Sequence, residues 1–246
     1  MQPFGFTRSS LQVDHALIAP DTHVRSPLVG WHKASAIVHI APAIGARFTQ
    51  YTAMLEAGAV SGPPLTGAER FVFVCEGTVE LRAPTSASLN VGGYAYLPAG
   101  LPHEIRAAAP AKLVVFEKRY QPLPSGQTRV IIGHENDVAA EPYLGDPDAR
   151  LQTLLPVEPA FDMAVNLFTY QPGATLPQVE IHVMEHGLIM LNGAGIYRLG
   201  NCWYPVRAGD VIWMKAYCPQ WFVAMGKEPA RYLYYKDIHR DPLEVA

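Results

Sequence analysis

The chain has 246 residues, enough for one large domain or two of ordinary size. Its net charge of −3 at pH 7 argues against nucleic acid or an anionic membrane as partner, and no apolar run reaches the roughly 18 residues that would cross a bilayer. Charged residues make up only 17% of the chain, below the usual quarter or so. That deficit predicts more buried surface than a monomer offers, and so a homo-oligomer.

The N-terminal stretch MQPFGFTRSS has neither the basic start nor the apolar centre of a secretion signal, so a cytoplasmic protein is expected. The cysteines are Cys75, Cys202 and Cys218. Odd in number and without metal-ligand spacing, they read as reduced, mostly buried thiols. Helical periodicity is scarce. In chain order, short apolar runs bounded by Gly, Pro and Asn recur instead: FVFVCEG, VELRA, YAYLPAG and KLVVFEKRY, then GLIMLNG, GIYRLGN, DVIWM and RYLYYKD. Such runs at regular spacing predict an all-β sandwich or barrel. Leu191-Asn192-Gly193 and Leu199-Gly200-Asn201 read as tight hairpin connections.

The two sets of runs match each other. CEGTVELR aligns with LNGAGIYR, setting Gly77 opposite Gly193, and GGYAYLPAGLPHEI aligns with GDVIWMKAYCPQWF, setting His103 opposite Gln220. Both alignments give an offset of about 116 residues, the mark of an internal duplication. The stretch from Gln121 to Arg150 between them, rich in Pro, Gly and Asp, reads as a connection. The expected organisation is an N-terminal barrel with an arm over residues 1–120, a connection over 121–155 and a C-terminal barrel over 156–246.

The stretch VEIHVMEHG, Val179 to Gly187, carries Glu180, His182 and His186. A helix would bring 182 and 186 to one face but swing 180 away, whereas a strand, with its period of two, would point all three the same way. The β character of the surroundings favours the strand.

These residues resemble the two motifs of the cupin superfamily. The first motif, His-x-His-x3-Glu-x6-Gly, appears as Glu180-x-His182-x3-His186-x6-Gly193, with ligand spacing kept and two residue types exchanged. The second motif, Gly-x5-Pro-x-Gly-x2-His, starts at Gly209 and sets Gln220 at the histidine position. The resemblance implies two tandem cupin barrels of jelly-roll type (double-stranded β-helices). It also implies a metal held by Glu180, His182, His186 and Gln220 in the second. In the first copy the second motif is intact (Gly92, Pro98, Gly100, His103), but the ligand slots of the first fall on Pro64, Thr66 and Arg70. That barrel is expected to be metal-free, giving one ion per chain. His15, His23, His32, His39, His134 and His239 read as ordinary satisfied histidines. Imidazole and carboxylate suit Mn, Fe, Ni or Zn; with a neutral carboxamide and no thiolate, Mn(II) is favoured.

Closer still, DHALIAPDTHV, RFVFVCEGTVEL, the run from Glu180 to Met214, CPQW and RYLYYKD are similar to the (S)-ureidoglycine aminohydrolase family, over nearly the whole chain from about Phe6 to Pro242. The resemblance implies a Mn(II) hydrolase of allantoin and purine catabolism that releases ammonia from the small-molecule ureide (S)-ureidoglycine, giving (S)-ureidoglycolate. It further implies that Glu180, Tyr197, Gln220, Tyr232 and Lys236 contact substrate, with Lys236 the proton-transfer group. Direct attack by water and an imine intermediate both suit these residues. An Fe(II) bicupin dioxygenase would usually keep more histidines than this site has. A non-catalytic ligand-binding bicupin would have little use for a filled set of ligand slots.

Overall fold

The computed structural model describes residues 6–124, 126–241 and 243; the ends of the expected domains, and Pro242 at the limit of the resemblance, lie outside the described residues. The chain divides into two compact all-β units. One comprises residues 1–23, 139–156 and 163–246, and the other 24–138 and 157–162. All eight apolar runs identified in the sequence lie on strands.

The first unit contains an eight-stranded sheet and a three-stranded sheet. The larger one runs Ser10–Leu11, His15–Ile18, Val211–Met214, His186–Asn192, Ala230–Asp237, Met163–Tyr170, Asp146–Thr153, Glu141–Tyr143. The smaller one places Ala194–Leu199 between Cys202–Arg207 and Gln220–Met225. Period-two alternation turns Tyr197 and Leu199, and Phe222 and Ala224, to the inner face of the small sheet, where they bury against Phe168, Tyr170, Tyr232 and Tyr234 of the large one. The rings of Tyr170 and Phe222 meet edge to face at 5.0 Å. Burying a ring of this size contributes roughly 1.5–3 kcal/mol, so this aromatic layer helps hold the two sheets together.

The second unit is a ten-stranded sheet whose long central strands are Phe48–Val60, Ala68–Glu76 and Ala111–Arg119. One of its core clusters is aliphatic, with Ala53, Val72, Val74, Leu81, Leu113 and Val115, and Phe48, Phe71, Tyr96 and Phe116 are buried besides. The duplication seen in the sequence returns in backbone contacts. Gly92 N donates to Val74 O just as Gly209 N donates to Met190 O, and Gly93 N to Asn90 O as Asp210 N to Arg207 O. Gly77 (φ +76°) and Gly193 (φ +69°) each leave no room for a side chain. A Cβ would lie 2.5 Å from Pro110 O at the first and 2.4 Å from Pro229 O at the second.

Three expectations are corrected. Residues 6–23 do not belong with the N-terminal unit: His15–Ile18 pairs with Val211–Met214. The expected connection is partly sheet, because Glu141–Tyr143 and Asp146–Thr153 extend the large sheet through Met163–Tyr170. Asn192-Gly193 is no hairpin, since it joins strands of different sheets; Gly200-Asn201 is one, with Leu199 opposite Cys202. Both pairs are residues that favour hairpin turns, and only long-range pairing tells them apart.

Candidate active site

The segment Glu180–Glu185 is not the regular strand expected. Glu180 makes an isolated bridge to Gln220, with Glu180 N donating to Gln220 O (2.9 Å) and Gln220 N to Glu180 O (3.0 Å). The chain then leaves the edge of the small sheet and enters the large one at His186, the first residue of His186–Asn192. This excursion is tied down by Tyr217 N donating to His182 O (2.7 Å) and by Trp213 Nε1 donating to the buried Glu185 carboxylate (2.8 Å). Its outcome is the one a strand was expected to give: all three side chains line one cavity.

That cavity, about 610 Å³ of empty space opening to solvent, brings together every residue singled out in the sequence: Glu180, His182, His186, Tyr197, Gln220, Tyr232 and Lys236. Gln220 begins the strand Gln220–Met225, and Tyr232 and Lys236 stand two pleats apart on Ala230–Asp237, with Tyr234 between them on the same side. The sequence reading missed Tyr143, Phe168 and Leu151, which also line it. They come from the stretch read as a connection and from a strand without a motif, and no local signal marks them.

Polar atoms converge at one end. Gln220 Nε2 lies 2.9 Å from His182 Nε2, which is 4.0 Å from Glu180 Oε2. The rings of His182 and His186 stack at 4.8 Å, and the phenol of Tyr143 donates to Glu180 Oε1 at 2.7 Å. Burial lowers the pKa of His182 and, further, of His186; Lys236 adds repulsion to each, and for His186 so does His182. Both imidazoles are therefore neutral at pH 7, the form that binds metals. Burial also lowers the pKa of Lys236, opposed by the Glu180 charge. It raises those of Tyr197, Tyr232 and Tyr234, which keeps them as hydrogen-bond donors.

The donor set fits a divalent cation. His186 Nε2 is buried without a hydrogen-bond partner, a costly arrangement unless a ligand completes it, and His182 turns its Nε2 toward Gln220 and Glu180. Two neutral imidazoles, one carboxylate and one carboxamide are ligands of intermediate to hard character. A second convergence, Asp14, His15 and Cys218, gave no sign in the sequence spacing. Its His15 is satisfied at both nitrogens, by Asp14 Oδ1 (2.8 Å) and Tyr204 OH (2.9 Å), and burial pushes the Cys218 thiol up to about 12. It reads as a hydrogen-bonded clamp on the N-terminal strand.

In the other unit the corresponding slots hold Pro64, Thr66, Arg70 and His103. There the buried Arg70 guanidinium donates through Nη1 to His103 Nε2 (3.0 Å) and Gly62 O (2.9 Å), and through Nε to Glu117 Oε1 (2.6 Å). A fixed cation already occupies the imidazole's lone pair.

A cupin-domain family model matches residues 166–235. The chain is 45% identical to the (S)-ureidoglycine aminohydrolase of Arabidopsis thaliana over 97% of its own length and 80% of that protein's. It is 34% identical to the enzyme of the same name from Escherichia coli (strain K12), over 92% and 89%. The solved structure of the E. coli protein Ylba superposes with a TM-score of 0.84 at 29% identity, covering 96% of each chain. An all-β jelly-roll fold, a polar cavity built on the cupin ligand positions and identity of this extent lead to one assignment: the chain belongs to the (S)-ureidoglycine aminohydrolase family of cupins.

Proposed function

We propose that the protein hydrolyses (S)-ureidoglycine to (S)-ureidoglycolate and ammonia in purine catabolism, as a cytoplasmic homo-oligomer of two-cupin chains. The contact pattern repeated between the units supports two barrels, of which the C-terminal one holds a single Mn(II). The observation that carries the reading is the meeting of Glu180, His182, His186 and Gln220 with Tyr197, Tyr232 and Lys236 in one cavity.

In the reaction the bond from the substrate's central carbon to its amine breaks and a bond from that carbon to a water oxygen forms. One water is consumed and one ammonia leaves. The metal, held by Glu180, His182, His186 and Gln220, would supply Lewis-acid anchoring of the substrate's amine and carboxylate, and so its handedness. Lys236 moves the proton. Lysine with its ordinary pKa, about 10.4, is a poor base at pH 7. Burial lowers the Lys236 value, against the Glu180 charge, which favours the neutral amine, the form that takes a proton from water and passes it to the departing nitrogen. Tyr197 and Tyr232, buried and protonated, donate hydrogen bonds to the carboxylate or ureido oxygens. Phe168, Leu176 and Leu188 close the cavity's apolar side.

The test is ammonia release from ureidoglycine generated in situ, with and without Mn(II). Stoichiometric ammonia that depends on the ion is expected. Absence of ammonia under both conditions refutes the activity, and full activity after chelation refutes the metal.

A further inference from the structure

Tyr143 reaches the cavity from the edge strand Glu141–Tyr143, whose register with Asp146–Thr153 shifts between Pro142 and Tyr143. Irregularities of this kind re-aim a side chain and are common beside active sites. Leu144 follows with φ +51°, a left-handed conformation that a leucine adopts only where its surroundings impose it. The Tyr143 ring packs edge-on against Phe168 at 4.9 Å, which fixes its direction, and its hydroxyl donates to Glu180 Oε1 at 2.7 Å. The other carboxylate oxygen, Oε2, is the one that faces His182.

We propose that Tyr143 is a positioning residue that makes Glu180 a one-oxygen metal ligand, so that a coordination position stays open for substrate. This rests on the metal reading above. A carboxylate can bind a cation through one oxygen or both. A hydrogen bond from a neutral donor to an ionised oxygen is among the stronger kinds, and it competes for the lone pairs a second metal bond would need. A phenol with its ordinary pKa, about 10, is a donor throughout the working range. A second glutamate oxygen on the ion would take a position that a substrate binding through amine and carboxylate requires.

Tyr143→Phe removes the hydroxyl and keeps the ring on Phe168. Four measurements test the proposal: the melting temperature of the metal-free protein, Mn(II) binding by electron paramagnetic resonance, the Mn-bound exchangeable water from hyperfine coupling to isotopically labelled water, and KM from steady-state ammonia release. The metal-free variant should melt with wild type and still bind Mn(II). It should hold fewer bound waters and show KM raised about tenfold, the lower end for residues supporting a ligand. A variant with the wild-type water count and KM, or one that loses the ion, overturns the role assigned to Tyr143 while wild-type binding leaves the metal reading standing. Wild type that binds no Mn(II) overturns that reading, and this inference with it.

Discussion

Lys236→Met separates proton transfer from anchoring. Lys236 lies opposite Ala164 on one neighbouring strand and His186 on the other, so its stem is held within a continuous sheet while its amine lines the cavity. Methionine keeps most of that stem and removes only the titrating group. It also removes the repulsion that Lys236 exerts on His182 and His186; burial, the larger cause, still holds both neutral, so Mn(II) is retained. Losing a general acid-base group should cost a factor of roughly 10² or more in kcat. At about 1.4 kcal/mol per tenfold this is about 2.8 kcal/mol of barrier. Steady-state ammonia release at saturating Mn(II), with metal content measured on the same samples, is the assay. If Lys236 instead paired with the substrate carboxylate, the loss would sit mainly in KM. Wild-type kcat in the variant would refute the proton-transfer role, whatever its KM.

The same substitution makes a stability prediction. Because the folded pKa is lowered, the folded chain binds fewer protons here than the unfolded chain between that value and the ordinary 10.5. Burying the amine thus costs stability fully below the lowered pKa, and the cost fades as pH rises to 10.5; metal-free Lys236→Met should melt higher than wild type at neutral pH and lose the advantage towards pH 10.5. His182→Ala and His186→Ala should each lose Mn(II) on dialysis against chelator, since three donors remain without a replacement; full activity of either after dialysis would show the seat is misplaced. Elemental analysis should give one tightly held ion per chain, unchanged in His103→Ala; a second ion would overturn the metal-free reading of the first barrel. Arg70→Ala should destabilise the protein by about 3–5 kcal/mol in urea unfolding, because Glu117 and the Gly62 carbonyl lose their buried donor; a change under 1 kcal/mol would sink that account.

Much of this protein was legible in its sequence, because the signals concerned are local or repeat at a fixed interval. The eight apolar runs became strands, since alternation is a property of consecutive residues. The spacing of Glu180, His182 and His186, and the offset that set Gln220 at the slot of His103, marked four residues, Glu180, His182, His186 and Gln220, that meet in one cavity. What escaped was set by pairing between distant segments. No local feature of residues 1–23 says that His15–Ile18 will hydrogen-bond to Val211–Met214 rather than to the strands that follow it. The segment after Glu180 runs outside the sheets, held by Tyr217 N on His182 O and Trp213 on Glu185, which strand periodicity cannot foresee. Arg70 read only as a missing ligand; tertiary packing revealed a cation bonded to His103 in its place. Tyr143 lay in a stretch dense with Pro, Gly and Asp, the composition of a connection, and only the sheet edge it joins turns its phenol onto Glu180. Ligand types and spacing are written along the chain, whereas the donors that orient those ligands arrive from wherever the sheets close.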